Sequence, residues 1–249
     1  MTALREFAPG LHLAESTVRF YGVKLQTRMS VVTLSDSRLF VHSPVALDAA
    51  LRGELDRLGE VGFIVSPNKI HHVSMGDYMA AYPQAKAFAS PGLPERRPDL
   101  EFDGVLGDRP DPAWAADLDQ VAVRGNVFFS EIAFLHRASR TLLVADLVEN
   151  LDRETASASG RALARLFGVG SKPVASPEHR LYPHDPAAAA ASLERIRSWG
   201  FERIVLSHGA LIESGGREVL DAVAEHLLRG AGERSRVSKK ILAAMARFQ

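Results

Sequence analysis

Phe63-Ile64-Val65-Ser66-Pro67-Asn68-Lys69-Ile70-His71-His72-Val73-Ser74-Met75-Gly76-Asp77-Tyr78 is the stretch on which the reading of this chain turns. Phe63-Ile64-Val65 is a short, fully apolar strand. A helix is predicted over 75–82. Two adjacent histidines therefore stand at the carboxyl end of a buried strand, where α/β proteins place their chemistry. Neutral imidazole is the commonest metal ligand and the side chain that titrates nearest neutral pH. The other reading of the pair is one histidine that caps or packs and one that is solvated. Ser74 and Asp77 have capping-box spacing, with Asp in place of the commoner Glu.

Upstream, residues 11–42 read as β-rich. Leu11-His12-Leu13 is followed by an apolar run over 29–34, a Ser35-Asp36-Ser37 turn, and Leu39-Phe40-Val41-His42, which together predict a hairpin. His42 ends its strand and reads as a structural or supporting residue. Leu47, Leu51, Leu55 and Leu58 recur at helical spacing, with Gly59 as the stop signal. This helix returns the chain to Phe63.

Downstream, 86–89 is a further strand. Residues 90–112, rich in Pro, Gly, Asp and Arg, predict an exposed loop with an extended piece near 100–102. Trp114 reads as a packing anchor. A strand at 121–123 leads to Gly125-Asn126. Runs at 132–135 and 141–145 predict a hairpin, and Asp146 follows its second strand directly. A modest helix is expected over 161–167. Asp185-Pro186 is a strong helix start, and Gly200 closes that helix. A buried strand at 203–206 delivers Ser207-His208-Gly209, and a helix carrying Val219, Val223 and Leu227 follows. The last segment, 237–248, is amphipathic. It is either docked on the body or a contact between copies of the chain in a homo-oligomer.

The totals bound the function. A chain of 249 residues has ample length for a core, and one domain spanning 1–249 is expected. Lys+Arg and Asp+Glu are both 30, so the net charge of zero gives no reason to expect nucleic acid or an anionic membrane as partner. With no cysteine, disulfides and thiolate chemistry are excluded, and any metal must be held by His, Asp or Glu. Met1-Thr2-Ala3-Leu4-Arg5-Glu6 lacks the apolar run of a signal peptide. No run approaches the ~20 apolar residues of a membrane span. A soluble cytoplasmic protein is expected.

Three strand-end sites now stand in order: the 66–78 motif, Asp146 and His208. Their order and spacing resemble the metallo-β-lactamase superfamily. Arg28-Met29-Ser30-Val31-Val32, His42-Ser43-Pro44, Pro67-Asn68-Lys69, His71-His72 and Ser139-Arg140-Thr141-Leu142 look like one branch of it, known mainly as a domain of unknown function. The resemblance implies an α/β fold of two mixed sheets face to face with helices outside. In the family a strand ends in His-x-His-x-Asp-His, a later Gly-His adds a ligand, another strand ends in a bridging Asp, and the last ends in His-Gly.

With His72 aligned to the last His of that motif, His71 takes the Asp position, and Pro67 and Lys69 take the first two His positions. Asn126 replaces the His of Gly-His. The resemblance then implies that the first metal site is lost and the second is kept, with His71, His72, Asp146 and His208 holding one divalent ion: zinc first, iron or manganese otherwise. Lys69 would supply an ammonium in place of the lost ion, near Asn126 and Asp146. A one-residue shift of the alignment, with Asn68 first, removes the first site equally.

The reaction class implied is metal-dependent hydrolysis of a small-molecule substrate. The motif Asp that helps orient water is absent, so Glu131 or Asp77 would have to act as base, or the metal hydroxide would act alone, with Asp146 counted among the catalytic residues as well as the ligands. His179, Arg180, Tyr182 and His184 cluster before a helix; there, His184 is a candidate substrate contact or a solvated side chain. The alternative function is a binding or regulatory protein on the same scaffold, since fold alone does not establish chemistry.

Overall fold

The turn at Ser35-Asp36-Ser37 joins β3 (Val23–Thr33) to β4 (Arg38–His42), antiparallel as expected. Around it lies a sheet of seven strands. Its order is β1 (Leu4–Ala8), β2 (Leu11–Phe20), β3, β4, β5 (Glu60–Val65), β6 (Lys86–Ala89) and β7 (Gly104–Val105). The β1–β4 pairings are antiparallel and the β4–β7 pairings parallel. The computed structural model describes residues 3–20, 23–126, 128–150, 172–181 and 185–229. The segments expected to be helical at 161–167 and 237–248, and both Tyr182 and His184, lie outside the described residues.

The second sheet has the order β11 (Arg203–Val205), β10 (Thr141–Leu143), β9 (Glu131–His136), β8 (Leu118–Val123). Only the β10–β11 pair is parallel. Helices α1 (Ala49–Leu58) and α2 (Met75–Ala81) cover the first sheet: Leu51, Leu55, Met75 and Tyr78 pack on Leu39, Val41, Val61 and Ile64. Helices α5 (Pro186–Arg197) and α6 (Gly216–Arg229) cover the second, with Leu193, Ile196, Leu220 and Val223 against Val123, Leu142 and Ile204. Two shorter helices, α3 (Leu93–Arg96) and α4 (Pro177–Leu181), lie in connections.

The sheets face each other through Phe40, Phe63, Trp114, Phe134 and Leu143. β5 shows why its sequence is continuously apolar. Val61 and Ile64 meet the helices while Phe63 and Val65 enter the layer between sheets, so both faces are buried. Trp114 is fully buried and meets Phe40, Phe63 and Phe88 edge-on, at centroid distances of 5.2, 5.1 and 4.9 Å. Truncating such a residue to Ala costs about 3–5 kcal/mol.

Four local expectations are corrected. The 11–13 and 29–34 runs belong to strands of 10 and 11 residues, whose polar middle hides them from an apolar pattern. The 90–112 region contains α3, and its extended piece falls at β7. α5 ends at Arg197, capped by Ser198 before Gly200 is reached. Ser74 precedes α2 but makes no side-chain capping bond, so the expected capping box is not formed.

Parallel neighbours end at the same edge, and that edge becomes a rim. Ser43 follows β4, Ser66 to His71 follow β5, Asp146 follows β10, and Ser207-His208 follow β11. The Ile132 amide donates to the Pro67 carbonyl at 2.8 Å, and Asn68 bridges to Glu131, which ties the two sheets together at this rim. No helix among the described residues is long and apolar enough to cross a membrane.

Candidate metal centre

His71 is delivered by the loop after β5. Asn68 shapes that loop, because its Oδ1 accepts from the Ile70 and His71 amides at 2.9 and 3.1 Å, an Asx-type turn. Ser66 Oγ donates to the carbonyls of Asn68 and His71 and closes the loop from beneath. His71 Nδ1 lies 2.7 Å from Ser43 Oγ. Ser43 is held at φ 56, in the left-handed region, directly after β4. A non-glycine residue held there is strained, and such strain concentrates at functional positions.

His208 is fixed from the other sheet. Its Nδ1 donates to the Gln26 carbonyl at 2.7 Å. A carbonyl only accepts, so the proton of neutral His208 is on Nδ1 and its Nε2 carries the lone pair. The segment bearing His208 is held by the buried Arg28, whose Nη2 donates to the Gly209 carbonyl and Nε to Glu15 at 2.9 Å each. The third guanidinium nitrogen, Nη1, donates to the Leu206 carbonyl.

Asp146 completes the set. His71 Nε2, His208 Nε2 and an Asp146 carboxylate oxygen form a near-equilateral triangle. The two nitrogens are 3.3 Å apart, His71 is 3.4 Å from Asp146, and His208 is 3.5 Å from it. These three residues are the group of potential metal donors found among the described residues. Neutral imidazoles turned Nδ1–H outward would direct two nitrogen lone pairs and one anionic oxygen at a common centre. That arrangement is repulsive unless a cation or a proton lies inside it, and the donor set fits a divalent ion.

Burial disfavours a charged His71, but the Asp146 carboxylate outweighs it and raises its pKa. Burial lowers His208. For Asp146, burial works toward the neutral form, and the neighbouring His71 and His208 override it and hold the carboxyl ionised. Burial, with the Asp146 charge added, pushes nearby Glu149 up to about 8.

His72 does not join the centre, which corrects the expected four-ligand set. His71 and His72 lie in a turn, where successive side chains diverge by roughly 100° as in a helix. His72 Nε2 accepts from Arg96 Nε at 3.3 Å, and Arg97 Nη1 lies 3.1 Å from Nδ1. Burial and these two guanidinium groups lower His72 to about 4.

Lys69 does not fill the place expected for it. Its stem lies along Gly92, and Asn68, the preceding residue, reaches the carboxylates instead. Asn68 Nδ2 donates to Asp146 Oδ2 at 2.8 Å and to Glu131 Oε2 at 3.2 Å. Asn126 is a loop former. Its Oδ1 accepts from the Phe128 and Phe129 amides, and its Nδ2 donates to the Glu178 carbonyl. Asn126 and Ser130 also line a cleft of about 320 Å³ with Pro91, Leu106, Gly107 and Ala122. None of the three donor residues lines that cleft.

Glu131 is corrected as a base, and Asp77 is not among the clustered donors. Glu131 is fully buried and accepts from the backbone amides of Ala145, Asp146 and Leu147 at 2.8, 2.8 and 3.2 Å, as well as from Asn68. Its oxygens are already occupied, and what it does is seat the Asp146 loop. His179 Nε2 lies 3.5 Å from the same carboxylate. Asp77 is exposed in the first turn of α2. Reading strand-end His and Asp residues alone therefore missed Asn68, Ser43 and Arg28. The signal for Asn68 was its turn-forming place directly after Pro67.

The comparisons agree with this architecture. A family model described as "Domain of unknown function (DUF4336)" matches residues 12–168. Among curated proteins, none matches the chain in sequence. Solved structures are similar in fold. A metallo-β-lactamase from Pontibacter korlensis superposes with a TM-score of 0.62 at 11% identity, covering 91% of this chain and 99% of that one. The FIM-1 metallo-β-lactamase from Pseudomonas aeruginosa in a mono-zinc form gives 0.63 at 11% identity, covering 93% and 96%. The metal-soaked Flv1 flavodiiron core from Synechocystis sp. PCC6803 gives 0.61 at 11% identity, covering 91% and 60%.

Proposed function

The chain belongs to the DUF4336 family of unknown function, here on the metallo-β-lactamase fold, and we propose that it is a hydrolase with one metal ion held by His71, Asp146 and His208. The observation that carries this is the 3.3–3.5 Å triangle of three donor atoms with a carboxylate at one corner. Two ligands of a tetrahedral ion at ~2.0–2.1 Å are separated by about 3.3–3.4 Å, whereas adjacent ligands of an octahedral ion at that distance are about 3.0 Å apart. The edges are compatible with a tetrahedral ion, and the nitrogen-rich donor set suits zinc. Three protein ligands leave a fourth position open, the pattern of catalytic rather than structural zinc.

Two neutral imidazoles and one carboxylate would leave the centre with a net single positive charge. When bound, the ion would supply Lewis acidity toward water and toward a carbonyl or phosphoryl oxygen. The chain's own residues do the rest. Ser43 and the Gln26 carbonyl hold the two imidazoles at their outer nitrogens, as ligating histidines require. Asn68 orients Asp146 through one oxygen. The 320 Å³ cleft beside Asn126 has room for a small-molecule group.

The test is elemental analysis of protein purified without chelators or metal-affinity resin, followed by an esterase, lactonase and phosphodiesterase screen with added zinc, iron or manganese. About one zinc per chain and metal-dependent turnover are expected. Metal-free protein whose melting temperature is unmoved by any of these ions would sink the reading and leave a binding or regulatory scaffold.

A further inference from the structure

His71 is carried by the first sheet, and Asp146 and His208 by the second. Within the second sheet the Ser207 amide donates to the Ala145 carbonyl at 3.3 Å, which spaces His208 against Asp146. The spacing of His208 against His71 has to be set from one sheet to the other, and Arg28 stands at that crossing. It comes from β3 in the first sheet, and its side chain is 4% exposed. Its guanidinium nitrogens reach the Glu15 carboxylate and the carbonyls of Leu206 and Gly209. Those two carbonyls lie on either side of Ser207-His208, so one planar fork grips both ends of the turn that carries the ligand.

The main chain of the same residue reaches the other imidazole. Ser207 Oγ donates to the Arg28 carbonyl at 3.4 Å, Ser43 Oγ lies 3.4 Å from Ser207 Oγ, and His71 Nδ1 lies 2.7 Å from Ser43 Oγ. A carbonyl only accepts, and each hydroxyl has one proton to give. The chain of bonds therefore runs from His71 Nδ1–H through Ser43 and Ser207 to Arg28. It leaves the lone pair of neutral His71 on Nε2, the atom that faces His208 and Asp146.

We propose that Arg28 is the positioning residue of the centre: its guanidinium sets where His208 stands, and its carbonyl, through Ser207 and Ser43, sets the tautomer of His71. This rests on the hydrolase reading for the use made of the ion, whereas the two sets of contacts stand without it. A lysine at position 28 keeps the charge and loses the fork, so it separates charge from geometry.

The test compares the full chain with Arg28→Lys, Glu15→Gln and Ser207→Ala. Three quantities are read: zinc affinity by chelator competition, the visible spectrum of the cobalt-loaded protein, and the imidazole 15N signals of metal-free protein at alkaline pH, where both rings are neutral. Wild type should show His71 and His208 each protonated on Nδ1 alone. Arg28→Lys should lose at least about tenfold in zinc affinity, alter the cobalt bands and mix the His208 tautomers. Glu15→Gln keeps the fork and removes its anchor, so it should weaken zinc binding to a smaller degree; it decides the matter if Arg28→Lys does not fold. Ser207→Ala should give a mixture of His71 tautomers. Wild-type zinc affinity and cobalt bands in Arg28→Lys and Glu15→Gln, with only a lower melting temperature, make Arg28 a merely structural residue and overturn the inference. An unchanged His71 tautomer in Ser207→Ala overturns it as well. A wild type that takes up no ion, but whose histidine tautomers change in Arg28→Lys and Ser207→Ala, supports the inference and overturns the hydrolase reading.

Discussion

Asn68 stands with its amide nitrogen 2.8 Å from Asp146 Oδ2, and the same nitrogen reaches Glu131 Oε2 at 3.2 Å. A neutral NH2 group thus separates two buried carboxylates that would otherwise face each other. It leaves the other Asp146 oxygen directed at His71 and His208. Replacing Asn68 with Ala removes both this bridge and the turn that aims His71. Metal affinity should drop about 10–100-fold, the usual effect of losing a group that orients a ligand. Competition with a chromophoric chelator reads this directly, and unchanged affinity would show that Asp146 needs no such support.

Glu131→Gln tests whether Glu131 acts as a base or as a seat for the Asp146 loop. The substitution turns an acceptor into an NH2 group facing backbone N–H groups. It should cost about 1–3 kcal/mol in urea denaturation, as expected for breaking buried hydrogen bonds. Metal content should fall with it. Asp77→Asn, by contrast, should stay within about 0.5 kcal/mol of wild type with metal unchanged, as an exposed substitution does. Loss of turnover in Asp77→Asn at full metal content would restore Asp77 as a base.

His208→Ala and His72→Ala separate the three-donor centre from the four-ligand set that the sequence suggests. His208→Ala should lose the ion and the rise in melting temperature on adding zinc, since the ion stabilises only the folded state. His72→Ala should keep about one zinc per chain. If His72→Ala loses the ion, its place between Arg96 and Arg97 is not the one it holds in solution.

His42 sets an acid limit on stability. It is buried against the ring of Phe134 at a centroid distance of 5.5 Å, and burial takes its pKa from 6.5 to about 3. The folded state then resists a proton that the unfolded state accepts below 6.5. Stability should therefore fall as pH drops from 6.5 toward 3, with this group contributing about 2 kcal/mol of loss between pH 7 and pH 5. His42→Phe should flatten that part of the profile in denaturation experiments. An identical slope in the variant would assign the acid loss to other groups.

Much of the frame was legible in the chain as written. The Ser35–Ser37 hairpin, the helix of Leu51 and Leu55, the Asp185-Pro186 helix start and the unbroken apolar run of β5 are local patterns. Strand and helix periodicities express them within a few residues. The absence of cysteine confined any metal to His, Asp or Glu, and strand-end positions singled out His71, His72, Asp146 and His208 as the candidates. What sequence could not decide was which of two adjacent histidines faces inward, or that Asn68 rather than Lys69 meets Asp146. Those choices depend on the direction of side chains in a loop whose path is set by contacts from β4, β9 and β11. Asp146, Gln26 and Ser43 are distant along the chain, and the Glu131 carboxylate finds its three backbone amides only after the second sheet has formed. The spacing of residues records local backbone geometry; the convergence of side chains from two sheets comes from the packing between them.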